Sequence, residues 1–183
     1  FPTKKAERYK YTDVAAAFAP DYGLNLNRLD IPVNPYEAFR CDVPNLSTSL
    51  YFMVNDAFYS KSLPTVALPE GVLVCSLKEV AEKYPERIAS YYGQLARTDK
   101  DAINALNTML AQDGLFIFIP RGVAVERTIQ IVNILRSDVD LMVNRRVLII
   151  LEECAQARIL VCDHAADDRN FLTTQVVEVF AEE

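Results

Sequence analysis

The pattern of apolar and polar positions changes character near residue 113. Beyond it, apolar residues come in short dense runs. Gly114 to Val132 reads GLFIFIPRGVAVERTIQIV and opens with five consecutive apolar residues, Leu115 to Ile119. The run is too short to span a bilayer and too rich in Ile and Phe for a loop, so it predicts a buried strand. Pro120 removes a backbone donor and Gly122 tolerates a positive φ, which predicts a corner. Two shorter apolar pieces follow, Val123 to Val125 and Ile129 to Val132, separated by Glu126, Arg127 and Thr128. The unit reads as strand, corner, short strand, corner, short strand.

Sliding the chain along itself by 32 positions brings this unit back, with Leu115–Ile119 falling on Val147–Leu151 and Pro120-Arg121-Gly122 on Glu152-Glu153-Cys154. A third start at Val176–Phe180 is followed by Ala181-Glu182-Glu183, an echo of Leu151-Glu152-Glu153 after 30 residues. A period of roughly 20 to 50 residues built from strands and corners marks a solenoid, and the parallel β-helix is the solenoid made of short strands. The fold class expected is mainly β with an α/β N-terminal cap, the cap being residues 1–113 and residues 114–183 the first coils of a right-handed parallel β-helix.

In the first part, Asp13 is placed to cap a short helix, Val14 to Ala19, ended by Pro20. Pro32, Pro35 and Pro44 exclude a long regular element between Leu24 and Asn45. Leu50–Val54, the turn Asn55-Asp56 and Ala57–Tyr59 predict a hairpin. Val72–Cys75 predicts a further strand, and Ser76 with Glu79 a capping box for a helix from Leu77 towards Gly93, interrupted at Pro85. Thr98 with Asp101 predicts the start of a second helix, Asp99 to Gln112, with Ala102, Leu106, Met109 and Leu110 on its buried face and Gly114 at its end. Tyr9 and Tyr11 are expected to pack on later elements.

Composition narrows the classes of partner. The chain has 183 residues, 51% hydrophobic and 24% charged, with a formal net charge of −6. A chain of this length buries about 70% of its unfolded surface. Negative charge without a Lys/Arg cluster argues against nucleic acid or an anionic membrane as partner, and no signal peptide is visible. The start at Phe1 rather than Met, and the end in an apparent strand, suggest part of a longer chain.

Candidate chemistry is sparse. Cys41, Cys75, Cys154 and Cys162 form no C-x-x-C pair, and reduced thiols in an intracellular protein are the plain reading. Cys154 and Cys162, eight residues apart, are placed to face one another across a coil, but a metal site needs further ligands than His164, Asp163, Asp167 and Asp168 supply. His164 reads as a solvated loop residue. Glu152-Glu153 and Arg145-Arg146 read as solvated charge at corners.

The residues also carry a resemblance. Pro2 to Asp13, PTKKAERYKYTD, resembles the opening P-T-x-[RK]-x-E-x-W-K-Y-T-[DN] of SufD proteins in the SufB/SufD family of iron–sulfur cluster assembly scaffolds. Leu115–Val123 is similar to that family's F-I-Y-V-P-K-G-V, and Asn144–Ala157, NRRVLIILEECAQA, to its N-R-x-L-I-x-x-E-x-G-A-x-A stretch. The N-terminal stretch favours SufD over its paralogue SufB. Tyr9 stands where the family has tryptophan, and Cys154 where it commonly has glycine.

What the resemblance implies is a non-catalytic cytoplasmic scaffold that pairs with a SufB-like paralogue and a SufC-like ATPase in a SufBCD-type complex, with a homodimer as a further possibility. The iron–sulfur cluster is then handled by the whole complex, and the family's histidine and cysteine positions for cluster building lie beyond residue 183. No catalytic, cofactor-binding or metal residue is therefore assigned within residues 1–183. Two alternatives stand beside it. One is a β-helix enzyme acting on carbohydrate or acyl donors, using Glu152, Glu153, Arg145, Arg146 or His164. The other is a purely structural solenoid module.

Overall fold

The computed structural model describes residues 1–27, 31–39, 48–61, 63, 64 and 66–183. Cys41 and Pro44 lie outside them. The strands are β1 (Thr48–Val54), β2 (Ala57–Phe58), β3 (Leu73–Ser76), β4 (Leu115–Ile119), β5 (Thr128–Leu135), β6 (Leu141–Leu151), β7 (Ile159–Ala165) and β8 (Phe171–Ala181). They form two four-stranded sheets, β2-β1-β5-β7 and β3-β4-β6-β8. Each sheet is mixed. β1/β2 and β3/β4 are antiparallel, while β1/β5, β5/β7, β4/β6 and β6/β8 are parallel.

The 32- and 30-residue offsets return as register. Leu115 pairs with Val147, Ile129 with Ile159 and Leu151 with Ala181. The parallel β-helix expected from them does not form. Among the described residues only two sheets are present, and no coil closes. Val123–Val125, which a third wall would need as a strand, contributes a single bridge, Ala124 to Gln156. The reason is local: three apolar residues followed by Glu126 and Arg127 are too few to sustain a ladder. They form stacked turns instead, with the Gly122 N–H donating to the Glu153 carbonyl (2.9 Å) and the Gln156 N–H to that of Val123 (2.9 Å). Residues 48–76 also supply strands to both sheets, pairing antiparallel at the β1/β2 and β3/β4 ends.

Alternation along the strands builds the layers. Leu115, Ile117 and Ile119 of β4 point between the sheets, where they meet Tyr51, Met53, Val74, Ile129, Ile131 and Ile149. Phe116 points the other way, with Leu148 and Ile150 of β6, and packs on the helical layer through Leu77, Val80 and Ile88. A strand covered on both faces reads as a continuous apolar run, which accounts for LFIFI. The far face of the first sheet, Phe52, Val132 and Ile134, is covered by Val33, Ala38 and Phe39.

The helices follow their caps. In α1 (Val14–Ala17) the Asp13 carboxylate accepts from the Ala16 N–H, and the helix ends two residues before Ala19. A single turn, α2 (Pro35–Ala38), begins on Pro35. Ser76 Oγ accepts from the Glu79 N–H to start α3 (Leu77–Lys83), and Pro85 opens α4 (Pro85–Ala89) rather than kinking α3. The cap of α5 (Ala102–Leu110) is Asp101, whose carboxylate accepts from the N–H groups of Ile103 and Asn104, and not Thr98. Tyr9 donates to that same carboxylate at 2.7 Å and so ties the N-terminal segment to α5, while Tyr11 is 91% exposed. Gly114 does not cap α5, which ends at Leu110. A Cβ at Gly114 would lie 2.2 Å from the Arg146 carbonyl oxygen, so glycine is required there by close approach to β6.

Candidate functional site

The side chains that bear charge deep in the molecule are consecutive. Arg145 and Arg146 sit mid-strand in β6, buried to 2% and 0% exposure, and not at a solvated corner. Because successive strand residues face opposite ways, Arg146 enters the helical layer and Arg145 enters the space between the sheets.

On the helical side, the Arg146 guanidinium pairs with Glu178 of β8, both side chains 1% exposed. Its Nη1 donates to Thr108 Oγ1 at 3.1 Å, and the Tyr92 ring stacks 4.3 Å from the guanidinium carbon. The Glu178 carboxylate also accepts three backbone N–H groups, from Gly93 (2.8 Å), Leu95 (2.9 Å) and Ala96 (3.0 Å). Burial by itself raises the Glu178 carboxyl, but the three N–H donors and the Arg146 charge outweigh it and hold its pKa below the ordinary value. Next to this pair, α5 turns Asn107 inward, fully buried, whereas Met109 is 72% exposed. The Asn107 amide donates to the carbonyls of Arg145 (3.0 Å) and Thr174 (3.2 Å) and to Thr174 Oγ1, which donates to Asn144 Oδ1 at 2.7 Å. The face predicted for α5 from Ala102, Leu106, Met109 and Leu110 is thus displaced, because the sheet beneath presents polar groups that an amide satisfies and a methionine does not.

Between the sheets, Arg145 Nε donates to the Asn55 carbonyl at 3.0 Å and Nη1 pairs with Asp163 of β7, whose carboxylate is 58% exposed. Burial lowers the Arg145 guanidinium, against the pull of Asp163. Asn55, in the β1–β2 turn at φ 54, also bonds the Arg136 backbone, so the hairpin tip is fastened to the end of β5.

The remaining candidates are scattered. Cys154 is exposed in the corner after β6 and Cys162 half-buried in β7, so the structure does not bring them together. Cys162 instead shares a face of β7 with His164, two residues on. Gln130 Nε2 lies 3.5 Å from Cys162 Sγ, and the His164 ring meets Phe39 edge-on at 5.3 Å. His164 is therefore a half-buried strand residue rather than a solvated loop residue, and its buried Nε2 has no hydrogen-bond partner among the described residues. Asp167 accepts from the Ser137 N–H and pairs with Arg136, while Asp168 is exposed. Glu152 accepts from the Arg121 N–H and Glu153 pairs with the Arg121 side chain. Among the described residues no three His, Cys, Asp or Glu side chains come together as a metal site, and no helix is long and apolar enough to cross a membrane. Burial pushes the Cys75 thiol up to about 11.

Cys154 has a backbone reason to differ from its neighbours. Its φ is 60°, and Gly122, the residue 32 positions earlier in the equivalent corner, has φ 69°. Both corners use the left-handed region that favours glycine.

Fold and network together define a sheet framework in which buried charge fastens one layer to the next. The chain belongs to the SufBD family, whose N-terminal region, "SufBD protein N-terminal region", matches residues 1–131. It is similar to ABCI9, an iron-sulfur cluster assembly SufBD family protein of Arabidopsis thaliana, at 27% identity over 98% of this chain and 38% of that protein. Two SufBD family proteins of Synechocystis are also similar: slr0074 at 33% identity over 61% of this chain and 23% of its own length, and slr0076 at 26% over 86% and 34%. The chain thus spans well under half the length of these relatives.

Proposed function

We propose that the chain is the N-terminal part of a SufD-type scaffold subunit in a SufBCD-type iron–sulfur cluster assembly complex. In this reading it performs no catalysis itself, pairs with a SufB-like paralogue and a SufC-like ATPase, and handles the cluster only as cargo of the complex. The observation that carries the reading is membership of the SufBD family over residues 1–131, together with relatives whose names assign them to iron-sulfur cluster assembly. The SufD assignment rests on the stretch Pro2 to Asp13.

The structure offers physical support. β7 and β8 are outer strands of their sheets, and an outer strand presents unpaired N–H and C=O groups that accept a further strand. Glu152, Glu153, Arg145 and Arg146 are engaged in internal hydrogen bonds and ion pairs, which suits a framework role. The compartment proposed is the cytoplasm. One similar relative, ABCI8 of Arabidopsis thaliana, is chloroplastic, so fractionation of the native protein checks this point.

The test is to co-express the full-length protein with SufB-like and SufC-like proteins, purify it by affinity, and assay ATPase and iron–sulfide formation. The expected outcome is a stable complex containing both partners that assembles clusters. Recovery of the protein alone, without stimulated ATPase, rejects the reading.

A further inference from the structure

The turn that follows α4 is held in an unusual way. Residues 93–96 lie over β8, yet Gln94 is exposed and Leu95 is 59% exposed, so little apolar burial fixes them. Gly93 has φ 76° with nothing within 4 Å of a Cβ built on it, so glycine is needed there for backbone conformation and not for space. Three N–H groups from this stretch, those of Gly93, Leu95 and Ala96, converge on one carboxylate. Backbone N–H groups that converge in a turn form a concave anion receptor, and here the intervening Gln94 N–H donates to the Tyr91 carbonyl instead (3.1 Å). Arg146, fully buried beneath it, supplies the countercharge on the other side.

We propose that the 93–96 turn and Arg146 form a receptor for a single carboxylate, that Glu178 is its tethered ligand, and that docking of the turn is therefore conditional on β8 occupying the sheet edge. Glu178 comes from β8, the outer strand of its sheet, and the receptor from segments that precede it. Two residues along the same face of β8, Phe180 meets the Tyr91 ring edge-on at 4.9 Å, and Tyr92 stacks on Arg146. A displacement of β8 withdraws the carboxylate and the Phe180 ring together. It leaves Arg146 buried without its anion and releases the end of α4. The edge of one sheet and the helical layer above it thus move as one unit.

The competing account is that apolar contact of Tyr91 with Phe180 holds the turn and Glu178 merely fills space. Glu178→Gln separates the two, because the amide keeps the shape but presents a donor where the receptor already has donors. Hydrogen exchange of this chain is read amide by amide. The proposal expects exchange at Gly93, Leu95 and Ala96 to rise about tenfold or more in Glu178→Gln, and by more than at the β5 amides of Ile131 and Asn133, whose exchange reports any loss of global stability; loss of one charge-assisted hydrogen bond is enough for that ratio. Glu178→Ala then leaves an empty receptor. Formate at tens of millimolar restores protection of the three amides, chloride at equal ionic strength does not, and Arg146→Met in the same background abolishes the formate effect. Unchanged protection in Glu178→Gln overturns the proposal, as does formate acting equally on the wild type and on Glu178→Ala. Should Glu178→Ala fail to fold, the Gln variant decides alone.

Discussion

Arg145 and Arg146 are the same residue type, adjacent on one strand, and they serve different ends. Arg146 meets a carboxylate that is 1% exposed and braced by three backbone donors; Arg145 meets Asp163, whose carboxylate is 58% exposed. The first pair is sealed under helices and the second stands half in water. Strand alternation alone makes the difference, since a shift of one residue exchanges the two faces. Charge in this molecule is therefore structural on one side of β6 and only partly so on the other.

The largest effect expected is from Arg146→Ala. Removing one partner of a sealed ion pair leaves the other buried and uncompensated, and should cost about 3–5 kcal/mol in urea unfolding. Replacing both, as Arg146→Met with Glu178→Leu, should cost much less. A loss below about 1 kcal/mol for the single variant would show that the pair is not sealed.

Acid comes next in size. The carboxyls of Glu178 and Asp101 both have pKa values held below the ordinary range. For Asp101 burial acts upward and is outweighed by hydrogen bonds from Tyr9, Asn104 and Ile103 and by the Arg8 charge. A depressed folded-state pKa contributes stability that is full above the unfolded value of about 4 and is lost as pH falls through the folded one. Stability should hold from neutrality to about pH 5 and drop below it, with a shallower acid limb in Glu178→Gln. An unchanged limb in that variant would remove Glu178 from the account.

Asp163→Asn should cost less than Arg146→Ala, about 1–2 kcal/mol, because solvent already screens that carboxylate and the amide oxygen can still accept from the buried Arg145 guanidinium. A cost equal to that of Arg146→Ala would erase the distinction between the two faces. The smallest effect, of opposite sign, is expected from Cys154→Gly, which relieves a positive φ and should stabilise by about 0.5–1 kcal/mol in thermal unfolding.

Much of the frame was legible in the chain because it depends on local or periodic signals. The LFIFI run, the corner at Pro120–Gly122, the Leu50–Tyr59 hairpin, the Ser76 cap and the break at Pro85 each follow from a few adjacent residues. The 32- and 30-residue echoes gave true register. They were misleading about closure, since Val123–Val125 repeats without becoming a strand. The network was not legible. Two consecutive arginines ahead of VLIIL read as a corner because period-two alternation allows one polar face, not two. What turns them into strand residues is Asp163 and Glu178, 18 and 32 positions further on, and no local pattern announces that pairing. Asn107 escaped for a similar reason. A polar residue on an amphipathic helix reads as outward unless the polar sheet surface beneath it, Thr174 and Asn144, is already known.

The spacing of the parallel register carries a consequence for the order in which the chain acquires structure. Thr48 on β1 pairs with Thr128 on β5, 80 positions on, whereas β5 meets β7 and β6 meets β8 after only 30. Closing the longer loop costs about 0.9 kcal/mol more, by the logarithmic dependence on length. In chain order, however, β1 and β5 are both made before β7, so β7 can arrive at an edge already laid down. During synthesis at roughly 5–20 residues per second, a new 30-residue segment emerges every few seconds. A lesion in β5 should accordingly slow folding, whereas one in β8 should chiefly hasten unfolding.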